Sequence, residues 1–209
     1  MPERRKITDL FQSHLQNMKA YTAIDPPEVL AARLGISASE IIKLDGNENP
    51  YGSSPKVALA LQAHPWYHVY PDPAQRGVRQ ALSEYVGINV DSIIAGFGSD
   101  ELIDLLARLF VGIGDEVIDL PPTFGMYPIV VETQGGQVIS VPRTKNFDVD
   151  VDAVAKAITK NTKLLFLANP NNPTGNMSSE KTIRQLLELD LIVVVDETYF
   201  EFCGKTVAH

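Results

Sequence analysis

Short apolar runs alternate with amphipathic segments through the second half of the chain, and this alternation constrains the fold more than any other feature. "DEVIDL" (115–120), "QVISVP" (137–142), "TKLLFLANP" (162–170) and "LIVVVDE" (191–197) read as strands. Between and before them lie helix-like stretches. "SDELIDLLARLFVG" (99–112) has helical spacing through Leu102, Leu105, Leu106 and Leu109. "TFGMYPIVVETQGG" (123–136) reads as a helix ending at glycine, followed by "VDAVAKAI" (151–158) and "SSEKTIRQLLEL" (178–189). "SIIAGF" (92–97) is one more short apolar run. Short apolar strands separated by helices predict a mostly parallel sheet covered on both faces. The expected class is therefore α/β, with three layers in the order α-β-α.

The first half is less regular. Residues 1–46 are polar, with an amphipathic helix expected near 6–19 and another near 27–34. Pro26 and Pro27 suit the first turn of the second one. Residues 47–89 bridge the two regimes and contain a helix predicted over 73–86. There Asp72 can cap, Pro73 opens the turn, and Gln75 can reach back as in a capping box.

Composition narrows the function classes. The chain has 209 residues, a formal net charge of −8, and 44% apolar and 8% aromatic residues, an ordinary globular profile. The acidic balance and the lack of a Lys/Arg-rich run argue against a nucleic-acid surface. The one cysteine, Cys203, excludes an internal disulfide framework and Cys-rich zinc motifs. It fits a reducing, cytoplasmic compartment, and no metal is expected. No apolar run approaches the roughly 18 residues that a membrane span needs. The polar start "MPERRKITDLFQ" lacks a signal-peptide core.

In sheets of this kind ligands bind at the carboxyl ends of the strands. Three polar clusters fall there. "GFGSDE" (96–101) is a glycine-rich turn opening a helix, whose backbone N–H groups and dipole favour a phosphate. The plainer alternative is a helix start capped by Ser99 or Asp100. Glu101 stands where a third dinucleotide-binding glycine would be, and no GK[ST] follows to make a P-loop. "NPNNPTG" (169–175) follows a buried strand, so Asn172 can aim its amide into a cleft; a rigid turn alone would also explain these residues. Asp196 and Tyr199 end the last strand. A carboxylate after "IVVV" is costly unless it meets a cation or several donors. The alternative is a turn or capping Asp. Together, an anion cradle, an amide, a carboxylate and a phenol suit one ligand with a phosphate, a ring hydroxyl and a protonatable ring nitrogen. Pyridoxal phosphate is such a ligand.

The chain resembles the fold-type I pyridoxal-phosphate aminotransferases. The matching stretches are "KLDGNENPYG" (43–52), "YPD" (70–72), "GFGSDE", "PPTFGMY" (121–127), "NPNNPTG" and "VVVDETYFEF" (193–202). "LDGNENPYG" with "DETYFEF" narrows the resemblance to the histidinol-phosphate branch and its close relatives. It implies that Ser99, Asp100 and Glu101 lie at the cofactor phosphate through backbone amides. It implies that Phe124 stacks on the pyridine ring, that Asn172 and Tyr199 bond the ring oxygen, and that Asp196 keeps the ring nitrogen protonated. Tyr70 would reach the phosphate of the neighbouring subunit's cofactor, which implies a homodimer. Tyr21 and Asn49 would line the substrate side.

The implied reaction moves an amino group between L-histidinol phosphate and 2-oxoglutarate in histidine biosynthesis. The resemblance also places the family's Schiff-base lysine and its substrate-phosphate arginines beyond His209. On that reading no catalytic lysine lies in these residues, residues 1–46 form an N-terminal arm with part of a small domain, and residues 47–209 form a cofactor-binding large domain incomplete at its C-terminus. The chain alone would be an inactive N-terminal fragment.

Three rivals remain at this point. A dinucleotide-binding dehydrogenase would need a third glycine and an acidic residue about twenty positions on, and gives "NPNNPTG" no role. A non-catalytic interaction module built from an enzyme remnant would not need the cluster of cofactor-facing residues. A related transaminase or decarboxylase acting on another phosphorylated or aromatic amino acid would keep all of it.

Overall fold

The computed structural model describes residues 5–208 apart from Asn17, Ala20, Thr22 and Ala23. Two compact units emerge: Ala20–Ala74 on one hand, and Met1–Lys19 with Gln75–His209 on the other.

Among its described residues the smaller unit holds the α-helices α1 (Pro27–Leu34) and α2 (Pro55–Ala63). Helix α1 lies where the prolines predict it and ends at Gly35 in the left-handed conformation, φ 69°. Helix α2 was not expected. Its signal is nevertheless present: Ser54 caps it by accepting the Lys56 N–H, and Pro55 takes the first turn.

In the larger unit the helix expected over 6–19 is replaced, among the described residues, by 3-10 turns at Ile7–Leu10 and Ser13–Leu15. Ile7, Leu10 and Phe11 are exposed, so a helix there has no apolar surface to bury and loses its main source of stability. Helix α3 (Arg76–Val86) starts three residues later than predicted. Asp72 spends its carboxylate on the Ala74 N–H, and Gln75 precedes the helix with φ 52°. "SIIAGF" forms no strand; Ile94 and Phe97 are exposed.

From Ser99 onward the alternation is realised. Helix α4 (Ser99–Phe110), β1 (Glu116–Asp119), α5 (Met126–Thr133), β2 (Gln137–Ser140), α6 (Val151–Ala157), β3 (Thr162–Ala168), α7 (Glu180–Leu187), β4 (Ile192–Asp196) and a short α8 (Phe200–Cys203) follow in order. The four strands pair in parallel in the order β2-β1-β3-β4. Because the chain goes outward from β1 to β2 and then crosses back to β3, the strand order reverses between β1 and β3. The carboxyl ends of those two strands therefore diverge into a crevice.

Two apolar clusters fix the layers. Leu164, Phe166 and Ala168 of β3 pack with Val117, with Ile103 and Ala107 of α4, and with Tyr127, Val130 and Val131 of α5. Leu165 and Leu167 point the other way and pack with Ile118, Val154 of α6, and Ile183 and Leu186 of α7. Successive side chains of one strand thus serve opposite faces. This is the three-layer α-β-α arrangement that the apolar strands predict. Among the described residues no helix is long and apolar enough to cross a membrane.

Candidate active site

Strand parity decides which groups meet. Val194 packs with the α4–α5 layer, while Val193 and Val195 pack with the α6–α7 layer. Asp196, two residues beyond Val194, therefore projects toward α4 and α5. It pairs across the sheet with Ala168, whose small side chain leaves space in front of it.

That space is a cleft of about 260 Å³ at the carboxyl ends of the strands. The start of α4 supplies Phe97, Gly98, Ser99 and Asp100 to its wall. The segment after β1 supplies Phe124, and β3 with its following turn supplies Ala168, Pro170 and Asn172. Asp196, Thr198 and Tyr199 complete the lining.

Each wall is held by local chemistry. Gly98 has φ 82° and ψ 179°, a conformation essentially reserved for glycine, and it turns the chain directly into α4. No side chain caps that helix at Gly98, and its first N–H groups have no intrahelical acceptors. Asp100 and Glu101 sit in the first turn. Glu101 does not line the cleft. Its carboxylate accepts the Phe97 N–H at 2.6 Å and closes the turn instead. A Cβ at Gly96 would come within 2.7 Å of that carboxylate.

The turn after β3 is stitched to the turn after β1 by Asn171, which is 2% exposed. Its Nδ2 donates to the Pro122 carbonyl at 2.9 Å and to Thr174 Oγ1 at 2.6 Å. Its Oδ1 accepts from the Thr123 hydroxyl at 3.0 Å. Asn171 therefore fixes Phe124 and Asn172 relative to each other. Pro121–Pro122, Asn169–Pro170 and Asn172–Pro173 are cis in these turns.

Arg143, 7% exposed, donates to the carbonyls of Leu120 at 3.2 Å, Phe147 at 3.1 Å and Ala168 at 3.5 Å. It ties the ends of β1 and β3 from below the crevice. Asp119 is buried beside it, with Oδ1 lacking a hydrogen-bond partner. Burial pushes the Asp119 carboxyl up to about 6, against the opposing pull of the Leu120 N–H and the Arg143 guanidinium.

Both carboxylate oxygens of Asp196 accept hydrogen bonds. Oδ1 accepts the Thr198 N–H at 3.0 Å and the Thr198 hydroxyl at 2.6 Å. Oδ2 accepts the Tyr127 hydroxyl at 2.7 Å. Tyr127 is 1% exposed, stacked on Phe166 with centroids 4.8 Å apart and planes 8° apart, and met edge-on by Phe124 at 5.6 Å.

Of the residues singled out in the sequence, Ser99, Asp100, Phe124, Asn172, Asp196 and Tyr199 converge on this one cleft. Tyr127, Thr198 and Asn171 were missed. Tyr127 closes the "PPTFGMY" stretch one helical turn from Phe124, but that stretch gave it no role of its own. Tyr21, Asn49 and Tyr70 belong to the Ala20–Ala74 unit. There Tyr70 is 98% exposed. Asn49 spends its side chain on its own turn, accepting the Tyr51 N–H at 3.0 Å and donating to the Gly52 carbonyl at 2.9 Å.

The family model for aminotransferase class I and II matches residues 39–208. The chain belongs to that family. Among curated relatives, a histidinol-phosphate aminotransferase of Roseiflexus castenholzii is 48% identical over 207 residues, covering 96% of this chain and 56% of the relative. One from Dehalococcoides mccartyi is 46% identical over 196 residues, covering 94% of this chain and 53% of the relative. A chloroplastic histidinol-phosphate aminotransferase of Nicotiana tabacum is 42% identical over 205 residues, with 97% and 50% covered. The crystal structure of the Sinorhizobium meliloti histidinol-phosphate aminotransferase in complex with pyridoxal-5'-phosphate superposes with a TM-score of 0.77 at 27% identity, covering 92% of this chain and 52% of that one. A Thermus thermophilus aspartate aminotransferase mutant follows with a TM-score of 0.69 at 25% identity, with 88% and 52% covered. The chain thus spans about half the length of the curated relatives it matches. Its family membership overturns the dinucleotide-dehydrogenase reading of "GFGSDE".

Proposed function

We propose that the cleft holds pyridoxal phosphate and that the whole protein transfers an amino group between L-histidinol phosphate and 2-oxoglutarate. The observation that carries this reading is Asp196. A carboxylate held from both sides at the end of a strand, in the same cleft as an uncapped helix start, suits a molecule that is cationic at one end and anionic at the other. The donor set fits the cofactor: N–H groups of α4 for the phosphate, Phe124 for the ring face, Asn172 and Tyr199 for the ring oxygen, Asp196 for the ring nitrogen. When bound, the cofactor supplies an electron sink for the substrate carbon that loses a proton. Asp196 keeps the ring nitrogen protonated, Phe124 and Asn172 orient the ring, and the α4 N–H groups anchor the phosphate.

Among the described residues no lysine lines this cleft, and Lys205 lines a separate cavity with Asn169, Ser178 and Arg184. The tethering lysine and the substrate-phosphate arginines that the resemblance implies are not assigned among the residues that line this cleft. In the full protein we read residues 47–209 as the cofactor-binding domain and 1–46 as an arm with part of a small domain. Tyr70 then serves a neighbouring subunit of a homodimer, Tyr21 and Asn49 face the substrate, and the location is cytoplasmic.

Titration of the full protein with pyridoxal phosphate, followed by absorbance, tests the reading. Asp196→Asn should retain cofactor but lose most turnover with histidinol phosphate and 2-oxoglutarate, by about a hundredfold or more. Near-normal turnover in that variant would sink the assignment of Asp196.

A further inference from the structure

We infer that Tyr127 is a positioning residue, acting through Asp196 to hold the carboxylate in place and in its anionic form for the cofactor ring. The inference rests on the pyridoxal-phosphate reading above. No contact between Tyr127 and the cleft is needed, since Tyr127 does not line it.

Three observations support it. First, the two oxygens of Asp196 are gripped from opposite sides, Oδ1 by Thr198 and Oδ2 by Tyr127. Thr198 lies only two residues on from Asp196, in the same segment of chain. Tyr127 is the anchor from a different element, 69 residues away in sequence. Without it the carboxylate is free to turn about its own bond.

Second, Tyr127 is itself immobilised. It is buried, stacked flat on Phe166 of β3 and wedged edge-on by Phe124. Phe124 is the expected ring-stacking wall of the cleft, so one segment from Phe124 to Tyr127 sets both the ring face and the carboxylate.

Third, the hydroxyl is a permanent donor. Burial, and then the negative charge of Asp196, hold its ionisation far above the ordinary tyrosine value. A hydrogen bond donated to a carboxylate stabilises its charged form. An anionic Asp196 leaves the proton on the ring nitrogen instead of taking it. Oδ2 accepts one bond from Tyr127, and a carboxylate oxygen has two acceptor sites, so Oδ2 keeps one for the ring.

The test uses Tyr127→Phe, which keeps the stacked ring and removes one oxygen, in the full protein without substrate. Two quantities are read: the affinity for pyridoxal phosphate, and the 15N shift of cofactor labelled at the ring nitrogen. We expect affinity to fall about tenfold and the 15N resonance to move downfield, toward the unprotonated ring. In the Asp196→Asn background the same substitution should change neither. An unchanged 15N shift and affinity in the wild-type background would overturn the inference. So would equal losses in both backgrounds, because a merely structural tyrosine weakens binding whatever stands at position 196. If the unsubstituted protein binds no pyridoxal phosphate, the functional reading itself fails and this inference falls with it; the absorbance titration tells the two failures apart.

Discussion

Asp119 offers the sharpest test of the energetics beneath the cleft. It is 8% exposed, one of its oxygens has no partner, and burial raises its carboxyl from an ordinary 3.8 to about 6. A folded-state value above the unfolded one means that folding favours the protonated acid. The contribution of Asp119 to stability is then greatest below pH 4 and is lost as pH rises through about 6, because the folded chain must carry an ill-solvated charge. At 1.36 kcal/mol per pH unit, a displacement of this size amounts to about 3 kcal/mol at neutral pH. Asp119→Asn removes the titration with little change in shape. Arg143 loses an anionic neighbour at the same time, so we expect a net gain of about 1–3 kcal/mol at pH 7 that shrinks toward pH 4. With a urea slope of about 2 kcal/mol/M, the unfolding midpoint should rise by about 0.5–1.5 M at pH 7. The assay is urea unfolding by circular dichroism between pH 4 and 8 on both proteins. A difference that does not vary with pH, or a variant less stable at pH 7 than at pH 4 relative to wild type, would refute the reasoning.

Two further substitutions probe the cleft's surroundings. Gly98→Ala meets no neighbour within 4 Å, so its cost is purely conformational; we expect a loss of about 1–3 kcal/mol in urea unfolding together with weaker cofactor binding, and a wild-type midpoint would show that the φ of 82° is not required. Tyr70→Phe mixed with a variant lacking the tethering lysine should regain activity in mixed dimers if the active site is shared, and no gain over the parent variants, with mixed dimers present, would place Tyr70 in its own subunit's chemistry.

The sheet was legible because a strand buried on both faces leaves a sequence signature that nothing else in a polar chain imitates. "TKLLFLA" is buried along nearly all its length, while "IVVV" in β4 is half-buried with Ile192 exposed. Residues 6–19 misled for the opposite reason. Their spacing is helical, but helical spacing stabilises a helix only where a partner covers the apolar face, and Ile7 and Leu10 remain in solvent. Helix α3 began late because a short side chain, Asp72, captured a backbone N–H locally before the helix could. Within the cleft, the residues that point into it were readable as polar groups at strand ends. Those that work from behind were not. Tyr127 looks like any amphipathic helix aromatic, and Thr198 like any turn residue. The role of Tyr127 exists only because β4 and α5 meet in space, 69 residues apart at the Tyr127–Asp196 bond, while Thr198 reaches Asp196 from two residues on.

The alternation along β3 sorts inherited variation by kind. Leu165 and Leu167 face the layer of α6 and α7, away from the cleft. A damaging change there lowers how much folded protein a cell holds, while each surviving molecule keeps its pocket. Phe166, between them in sequence, supports Tyr127 from beneath. Phe166 is as fully buried as its two neighbours, so a change there lowers the yield and also loosens the support behind Asp196. Adjacent codons of one strand thus differ in reach: those facing α6 and α7 govern abundance, and the one facing α5 governs abundance and competence together.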